Sequence, residues 1–373
     1  MRPLPRHELF HADGRRLLVY GALSGALGEE PLAEERQAIH KRLDRFTGAW
    51  VGIAPARNTR PLDSPEGIAE PCPFCPGGLE VPFRYEAAVF ENRFPSFRSD
   101  PPPPPVLDGP TGPALGRCEV VLYTDRHDAW FGDLSPTELG RVLAVWVDRA
   151  RELWSDPAHA YVCVFENRGA EAGATIAHPH GQIYALDHLP PFTEAKAAAH
   201  RRHRERTGGC LSCEATVSDS GSDRVVSANQ SFVVAVPFAA RWPFEVAVRA
   251  RRHGLGRLAD LAPVELRDLA LALRDVVRRY DALFAFPLPY LMVAQESPDD
   301  EDDWHLAFEL YPLHRAPAAT KIRASVETGL GLFLNDVAPE DAAHRLAALD
   351  VPAEPIGLET LFTAGHLEPA TLP

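Results

Sequence analysis

Apolar residues in this chain come chiefly as short runs closed by a proline or a polar corner, the pattern of strands, with stretches of helical period between them. Leu17-Leu18-Val19-Tyr20 predicts a short strand, and the Glu-rich stretch after it a weak helix. Gly48 to Pro55 reads as a strand stopped by its proline, and Ala88 to Pro95 as a strand running into a polar turn. Asp100 to Pro105 is a semi-rigid, proline-rich loop. Cys118 to His127 predicts a buried strand ending in a polar corner. The period then changes. Ser135 is a helix N-cap, Pro136 takes the first position, and Glu138 completes a capping box before the core stripe Leu139, Val142, Leu143 and Trp146.

This order recurs. Glu119 to His127, with a helix opening at Pro136, is echoed by Glu245 to His253, with a helix opening at Pro263; Cys72/Cys75 is echoed by Cys210/Cys213. A repeat of roughly 130 residues is a duplicated domain, not a solenoid unit. The expected fold is α+β, with an antiparallel sheet and packed helices in each half. The halves are placed at 45–195 and 196–350, between an N-terminal extension (1–44) and a C-terminal tail (351–373).

Composition narrows the setting. With 45% hydrophobic and 24% charged residues, the 373-residue chain is an ordinary globular protein. Its formal charge of −14 argues against a nucleic-acid surface, so any phosphate recognition has to be local. No apolar run reaches membrane-spanning length, and the start, Met1 to His7, lacks the apolar core of a signal peptide, which points to the cytoplasm. Six cysteines make no disulfide framework. Cys72-Pro-Phe-Cys75 and Cys210-Leu-Ser-Cys213 have metal-ligand spacing, whereas Cys118 and Cys163 sit in core-like runs.

Candidate chemistry concentrates in one stretch. Phe165-Glu166-Asn167-Arg168-Gly169 leads through Thr175 to His178-Pro179-His180-Gly181-Gln182 and then Ile183-Tyr184-Ala185. If the last three form a strand, Pro179 fixes an extended entry and the two histidines project from one side. Gly181 lets the backbone approach a ligand, and Gln182 can donate to an anionic oxygen. A neutral imidazole here serves as metal ligand, general base or nucleophile; a pair of structural histidines is the plainer alternative. Arg57 and Arg60, three apart on a loop, offer guanidinium forks to phosphate, against the alternative of a solvated loop.

From about Arg45 to the 340s the chain resembles the galactose-1-phosphate uridylyltransferases of the histidine-triad superfamily, whose His-Pro-His-Gly-Gln segment carries the nucleophile. The resemblance implies a duplicated histidine-triad-like fold with His180 as nucleophile. It implies Gln182, Asn167 and Thr175 on the phosphates, Arg57 and Arg60 at the nucleotide end, and Asn92 and Phe94 near the nucleoside. Cys72, Cys75, His127 and His178 match positions of a structural zinc. Lys321 and Glu327 match residues that reach the sugar, with Val326 where some members have an aromatic. Gln295, Ala307 and Glu309 stand where several members have histidines for a second metal, iron in some, so that site is expected to be absent. A different second zinc, held by Cys210, Cys213 and His253 with His305, is conceivable. The implied protein is a cytoplasmic homodimer of galactose metabolism that exchanges UMP between UDP-glucose and a hexose 1-phosphate. The alternatives are a nucleotide-sugar phosphorylase, a transferase for another sugar nucleotide such as ADP-glucose, a nucleotide hydrolase, and a catalytically silent, zinc-stapled nucleotide-binding protein.

Overall fold

The computed structural model describes residues 1–28, 38–59, 72–298 and 303–367. Most of the predicted Glu-rich helix falls on 29–37, outside the described residues, and Ala22 to Gly28 before it is not helical.

The chain opens with strands β1 (Arg2–Phe10), β2 (Arg16–Tyr20), β3 (His40–Leu43), β4 (Trp50–Ile53), β5 (Ala87–Glu91), β6 (Thr111–Pro113) and β7 (Gly116–Leu122). Helix α1 (Pro136–Trp154), β8 (Tyr161–Arg168) and β9 (His180–Leu186) follow. Helices α2 (Pro191–Thr207) and α3 (Leu211–Ser220) lead to β10 (Val225–Ala228), β11 (Phe232–Ala235) and β12 (Val246–Ala250). Next come α4 (Pro263–Phe284), β13 (Tyr290–Gln295), β14 (Ala307–Pro312), and the short pair β15 (His314–Ala316) and β16 (Ala319–Thr320). The end of the chain carries α5 (Ser325–Leu330), α6 (Pro339–Ala347) and β17 (Phe362–Leu367).

Twelve strands form one sheet in the order β10-β11-β12-β14-β13-β8-β9-β7-β5-β2-β1-β17. Its middle is a palindrome, because β8-β9-β7-β5-β2 on one side matches β13-β14-β12-β11-β10 on the other. β8 and β13 pair antiparallel with Phe165 opposite Val293. A local two-fold axis therefore passes between these two strands, and the duplication is built into a single sheet. Residues 2–20 contribute β1 and β2 to that sheet, and β17 returns from the tail to lie parallel to β1.

Strand register corrects one part of the sequence repeat. Gln182 lies opposite Phe165 as Glu309 lies opposite Val293, while Val121 pairs with Gly181 as Val248 pairs with Phe308. Glu119 is thus in register with Val246, not with Glu245, and one residue of slip changes the face of the sheet. Glu119 accepts two hydrogen bonds from Arg149 of α1, at 2.9 and 2.8 Å. Glu245 instead accepts from the main-chain N–H groups of Arg241 and Trp242. The turn to His253 is one residue shorter than the turn to His127, which brings the two histidines back into correspondence.

The sheet has two unlike faces. One packs against α1, α4 and α6 over a large core that includes Val121, Val164, Ile183, Trp146, Leu273 and Phe308. The predicted stripe of α1 is fully buried in it, and the capping box forms: Ser135 Oγ accepts from Glu138 N–H at 3.3 Å, and Glu138 Oε2 from Ser135 N–H at 2.8 Å. On the other face of the first half a smaller core joins Val19, Phe90, Val120 and Leu122 to Phe74, Val81, Tyr85 and Ile176. Alternation along β9 sends Ile183 and Ala185 to the helices and leaves His180, Gln182 and Tyr184 on this second face.

Candidate active site and metal centres

Strand β9 begins at His180, so His180 and Gln182 share a face, with Leu122 and Val120 opposite them on β7. On β8, Phe165 faces Gln182, and Asn167 is the next residue on that face, beside His180. His180 Nδ1 lies 2.7 Å from the main-chain oxygen of His178. A carbonyl only accepts, so Nδ1 carries the proton and Nε2 keeps its lone pair. The ring of Phe74 stands edge-on to the same imidazole, centroid to centroid 5.2 Å. Gln182 Oε1 is buried without a hydrogen-bond partner among the described residues. Exchanging the two amide atoms would aim a donor into the same space, so the position suits either partner of a polar ligand.

Gly181 has a different reason from the one expected. A Cβ there would point to the helix side and collide with Tyr123 Oη, close also to Phe165 O at 3.1 Å. The glycine makes room for a phenol behind the sheet, not for a ligand in front of it.

Cys72, Cys75, His127 and His178 bring one ligand atom each to within 4.8 Å of one another. Cys75 Sγ is 3.5 Å from Nδ1 of both histidines. His178 Nε2 donates to Thr124 O at 2.8 Å, with the Tyr85 hydroxyl 3.0 Å away, which leaves Nδ1 as a lone pair facing sulfur. Burial pushes the Cys72 thiol up to about 12 and His178 down to about 4. Two sulfurs and two imidazole lone pairs converging on one point, with the far nitrogen of His178 tied to a carbonyl, fit a tetrahedral soft cation.

A second set, Cys210, Cys213, His253 and His305, converges within the same limit. Cys213 Sγ lies 3.5 Å from His253 Nδ1 and 3.4 Å from His305 Nε2, while His305 Nδ1 donates to Ala250 O at 2.9 Å. His305 completes the set, and it presents the opposite ring nitrogen from His178.

Under the two-fold axis Ala307 stands where His180 does, and Glu309 where Gln182 does. Lys196 of α2 donates to both Glu309 oxygens, at 2.6 and 2.8 Å, and the Tyr311 hydroxyl donates to Oε2. Burial alone would raise the Glu309 carboxyl, but the Lys196 charge and hydrogen bond hold it below the usual range. An ion pair occupies this second position, and Ala307 offers no imidazole beside it.

Arg57, on the short turn Pro55–Thr59, donates to Phe94 O at 3.0 Å, and Asn92 Oδ1 accepts from Phe94 N–H at 2.8 Å. The structure thus brings Arg57, Asn92 and Phe94 together. Asn92 N–H bonds Cys118 O, and Cys118 is paired with Tyr184, two residues along β9 from Gln182. Arg60 lies outside the described residues. Thr175 is half-buried in the segment that enters β9. Lys321 and Glu327 form an ion pair at 2.8 Å at the start of α5; Lys321 also bonds Leu334 O, and Glu327 accepts from the N–H groups of Ala324 and Leu334. Both side chains are buried.

A sequence model of galactose-1-phosphate uridyl transferase, N-terminal domain, matches residues 30–190, and the model of its C-terminal domain matches 200–354. The chain belongs to the galactose-1-phosphate uridylyltransferase family. It is similar to the galactose-1-phosphate uridylyltransferase of Thermotoga maritima, 38% identical over 319 residues that cover 83% of this chain and 98% of the relative. It is also similar to that of Streptomyces lividans, 33% identical, covering 90% and 95%. Among solved structures, a uridylyltransferase superposes with a TM-score of 0.74 at 33% identity, covering 83% of this chain and 97% of that one. An ADP-glucose phosphorylase from Arabidopsis thaliana with bound ADP-glucose reaches 0.65 at 25% identity, covering 85% and 100%.

Sequence reading of this uridylyltransferase family member missed Phe74, although it lies inside the Cys-x2-Cys segment. It also missed Lys196, which no local signal marks, because the helix that carries it has only a weak apolar stripe.

Proposed function

We propose that this enzyme exchanges UMP between UDP-glucose and galactose 1-phosphate by way of a uridylyl group held on His180. The observation that carries the reading is the 2.7 Å bond from His180 Nδ1 to His178 O, which puts the ring proton on Nδ1 and makes Nε2 the unprotonated nitrogen of a positioned imidazole. Nε2 attacks the α-phosphorus of UDP-glucose; a P–N bond forms as the bond to the bridging oxygen breaks, and glucose 1-phosphate leaves. A phosphate oxygen of galactose 1-phosphate then attacks the same phosphorus, the P–N bond breaks, and UDP-galactose is released. The sugar phosphate that leaves and the sugar phosphate that attacks are both weakly basic, so positioning and charge stabilisation matter more than proton transfer. Gln182, Asn167 and Thr175 hold non-bridging oxygens, Arg57 and Arg60 the remaining charge, and Asn92 and Phe94 the nucleoside. Lys321 and Glu327 belong to the sugar end; to reach a hexose their mutual ion pair has to open or share.

Zinc in the two Cys2His2 sets would supply structural cross-links, the first tying Cys72 and Cys75 to the catalytic turn through His178. The halves 45–195 and 196–350 act as one duplicated pair in which only the first reacts. The working form is a cytoplasmic homodimer. Six free cysteines suit a reducing compartment, and among the described residues no helix is long and apolar enough to cross a membrane.

The test is isotope exchange. Labelled glucose 1-phosphate should enter UDP-glucose without any galactose 1-phosphate present, because the first half-reaction is complete in itself. Exchange that requires the second substrate would rule out the covalent route.

A further inference from the structure

Behind the catalytic turn the sheet carries a buried polar group that the reaction scheme does not use. Glu166 follows Phe165 on β8, and Gly181 precedes Gln182 on β9, so the two are adjacent across the strands on the helix side. Their neighbours on that side, Val121 of β7 and Met292 of β13, are apolar and belong to the large core. A carboxylate in such a row is costly unless its oxygens are bonded. Tyr123 donates to Glu166 Oε2 at 2.9 Å and Tyr290 to Oε1 at 2.7 Å, and both phenols are fully buried. Tyr123 follows β7 of the first half, whereas Tyr290 opens β13 of the second. To reach Glu166, Tyr123 passes through the space a side chain at 181 would fill.

We propose that Tyr123, Glu166 and Tyr290 are positioning residues that fix the Gly181 backbone from behind, and through it the His180 imidazole and the Gln182 amide on the reacting face. The inference rests on the reading of His180 as nucleophile. A rigid phenol seated on the one residue between two reacting side chains limits movement of the strand toward the helices. The carboxylate keeps the phenol from rotating away. Arg168, two residues along, is itself fixed by Asp281 of α4 at 2.6 and 3.0 Å and lies over the Tyr290 ring, which prevents drift of the second phenol. Burial raises the Glu166 carboxyl above its ordinary value, against the two phenol bonds and the Arg168 charge, so loss of one phenol favours a neutral, differently bonded acid.

The test uses the full-length holoenzyme with Tyr123→Phe and Glu166→Gln. Tyr123→Phe keeps the ring over Gly181 and removes only the bond to Glu166. The single-turnover rate of His180 uridylylation should fall on the order of 10–100-fold, while half-saturation by UDP-glucose moves less than about threefold. Tyr290→Phe should show a smaller loss in the same direction. A second readout needs no turnover: in 15N spectra of histidine-labelled protein, the Nδ1–H tautomer of His180 should be sharp in the parent and exchange-broadened in Tyr123→Phe. A variant that melts earlier yet labels at the parental rate, with an unchanged histidine spectrum, would make the cluster merely structural and overturn the proposal. If Glu166→Gln does not fold, Tyr123→Phe decides alone. If the parent takes no uridylyl group, the functional reading fails, and the histidine spectrum still decides whether the cluster positions His180.

Discussion

The main-chain oxygen of His178 accepts a 2.7 Å hydrogen bond from His180 Nδ1, while the ring of the same His178 faces Cys75 at 3.5 Å. One residue therefore joins the first candidate metal set to the proposed nucleophile, and the order of the motif follows. Under the proposed function the first histidine is a ligand whose carbonyl sets the tautomer of the second, and the proline between them keeps the backbone extended. Removing His180 should abolish labelling without disturbing the metal. His180→Ala is expected to lose on the order of 10⁴-fold or more in turnover, with metal content by mass spectrometry equal to the parent.

Gln182→Ala should cost less, on the order of 10²–10³-fold in the rate of uridylylation, as expected for one donor to a phosphate oxygen that gains charge in the transition state. Pre-steady-state label formation measures this directly. A loss confined to the UDP-glucose concentration dependence would assign Gln182 to ground-state binding instead.

The two metal sets should separate by their effect on turnover. Cys75→Ser and Cys213→Ser are each expected to lose one bound metal and to lower the melting temperature. Only Cys75→Ser should also slow labelling at temperatures where both remain folded, since only the first set shares a residue with the catalytic turn. Metal analysis with parallel rate measurements checks both.

Much of this was legible in the chain. The strand β9, the capping box at Ser135 and the duplication could be read from period, caps and repeated spacing, because local chemistry writes them. The first metal set could be read as well, from cysteine spacing and the family motif. The face of Glu119 relative to Glu245 could not, since a one-residue difference is invisible to a pattern match and only strand pairing decides it. In the sequence Gly181 reads as room for a ligand, whereas the phenol that requires it comes from beyond a different strand. The ion pair between Lys196 and Glu309 joins residues far apart in sequence, so neither partner announced the other.

That pair gives a stability prediction. Lys196→Met leaves Glu309, among the described residues, with its weaker partners Tyr311 and Arg241 and should cost about 1–3 kcal/mol, below the cost of breaking a fully buried pair because Lys196 is partly exposed. Lys196→Met with Glu309→Leu should recover most of that loss. Denaturant melts of the single and double variants measure the difference, and an unimproved double variant would mean that Lys196 acts through packing.

Acid should loosen the segment around α5. The hydrogen bond and charge of Lys321 lower the Glu327 carboxyl from 4.5 to about 2. A depressed carboxyl contributes its full stabilisation above its unfolded value, and loses it as pH falls through the window between those two values. Hydrogen exchange at 321–334 should accelerate over that window in the parent, and Lys321→Met should be fast already at pH 6.

The central claim is that His180 carries UMP between two sugar phosphates, and intact-mass spectrometry tests it most directly. Mixed with UDP-glucose, the protein should gain the mass of one uridylyl group and lose it on addition of galactose 1-phosphate but not of inorganic phosphate. An adenylyl increment from ADP-glucose that phosphate discharges would contradict the account and make the enzyme a phosphorylase.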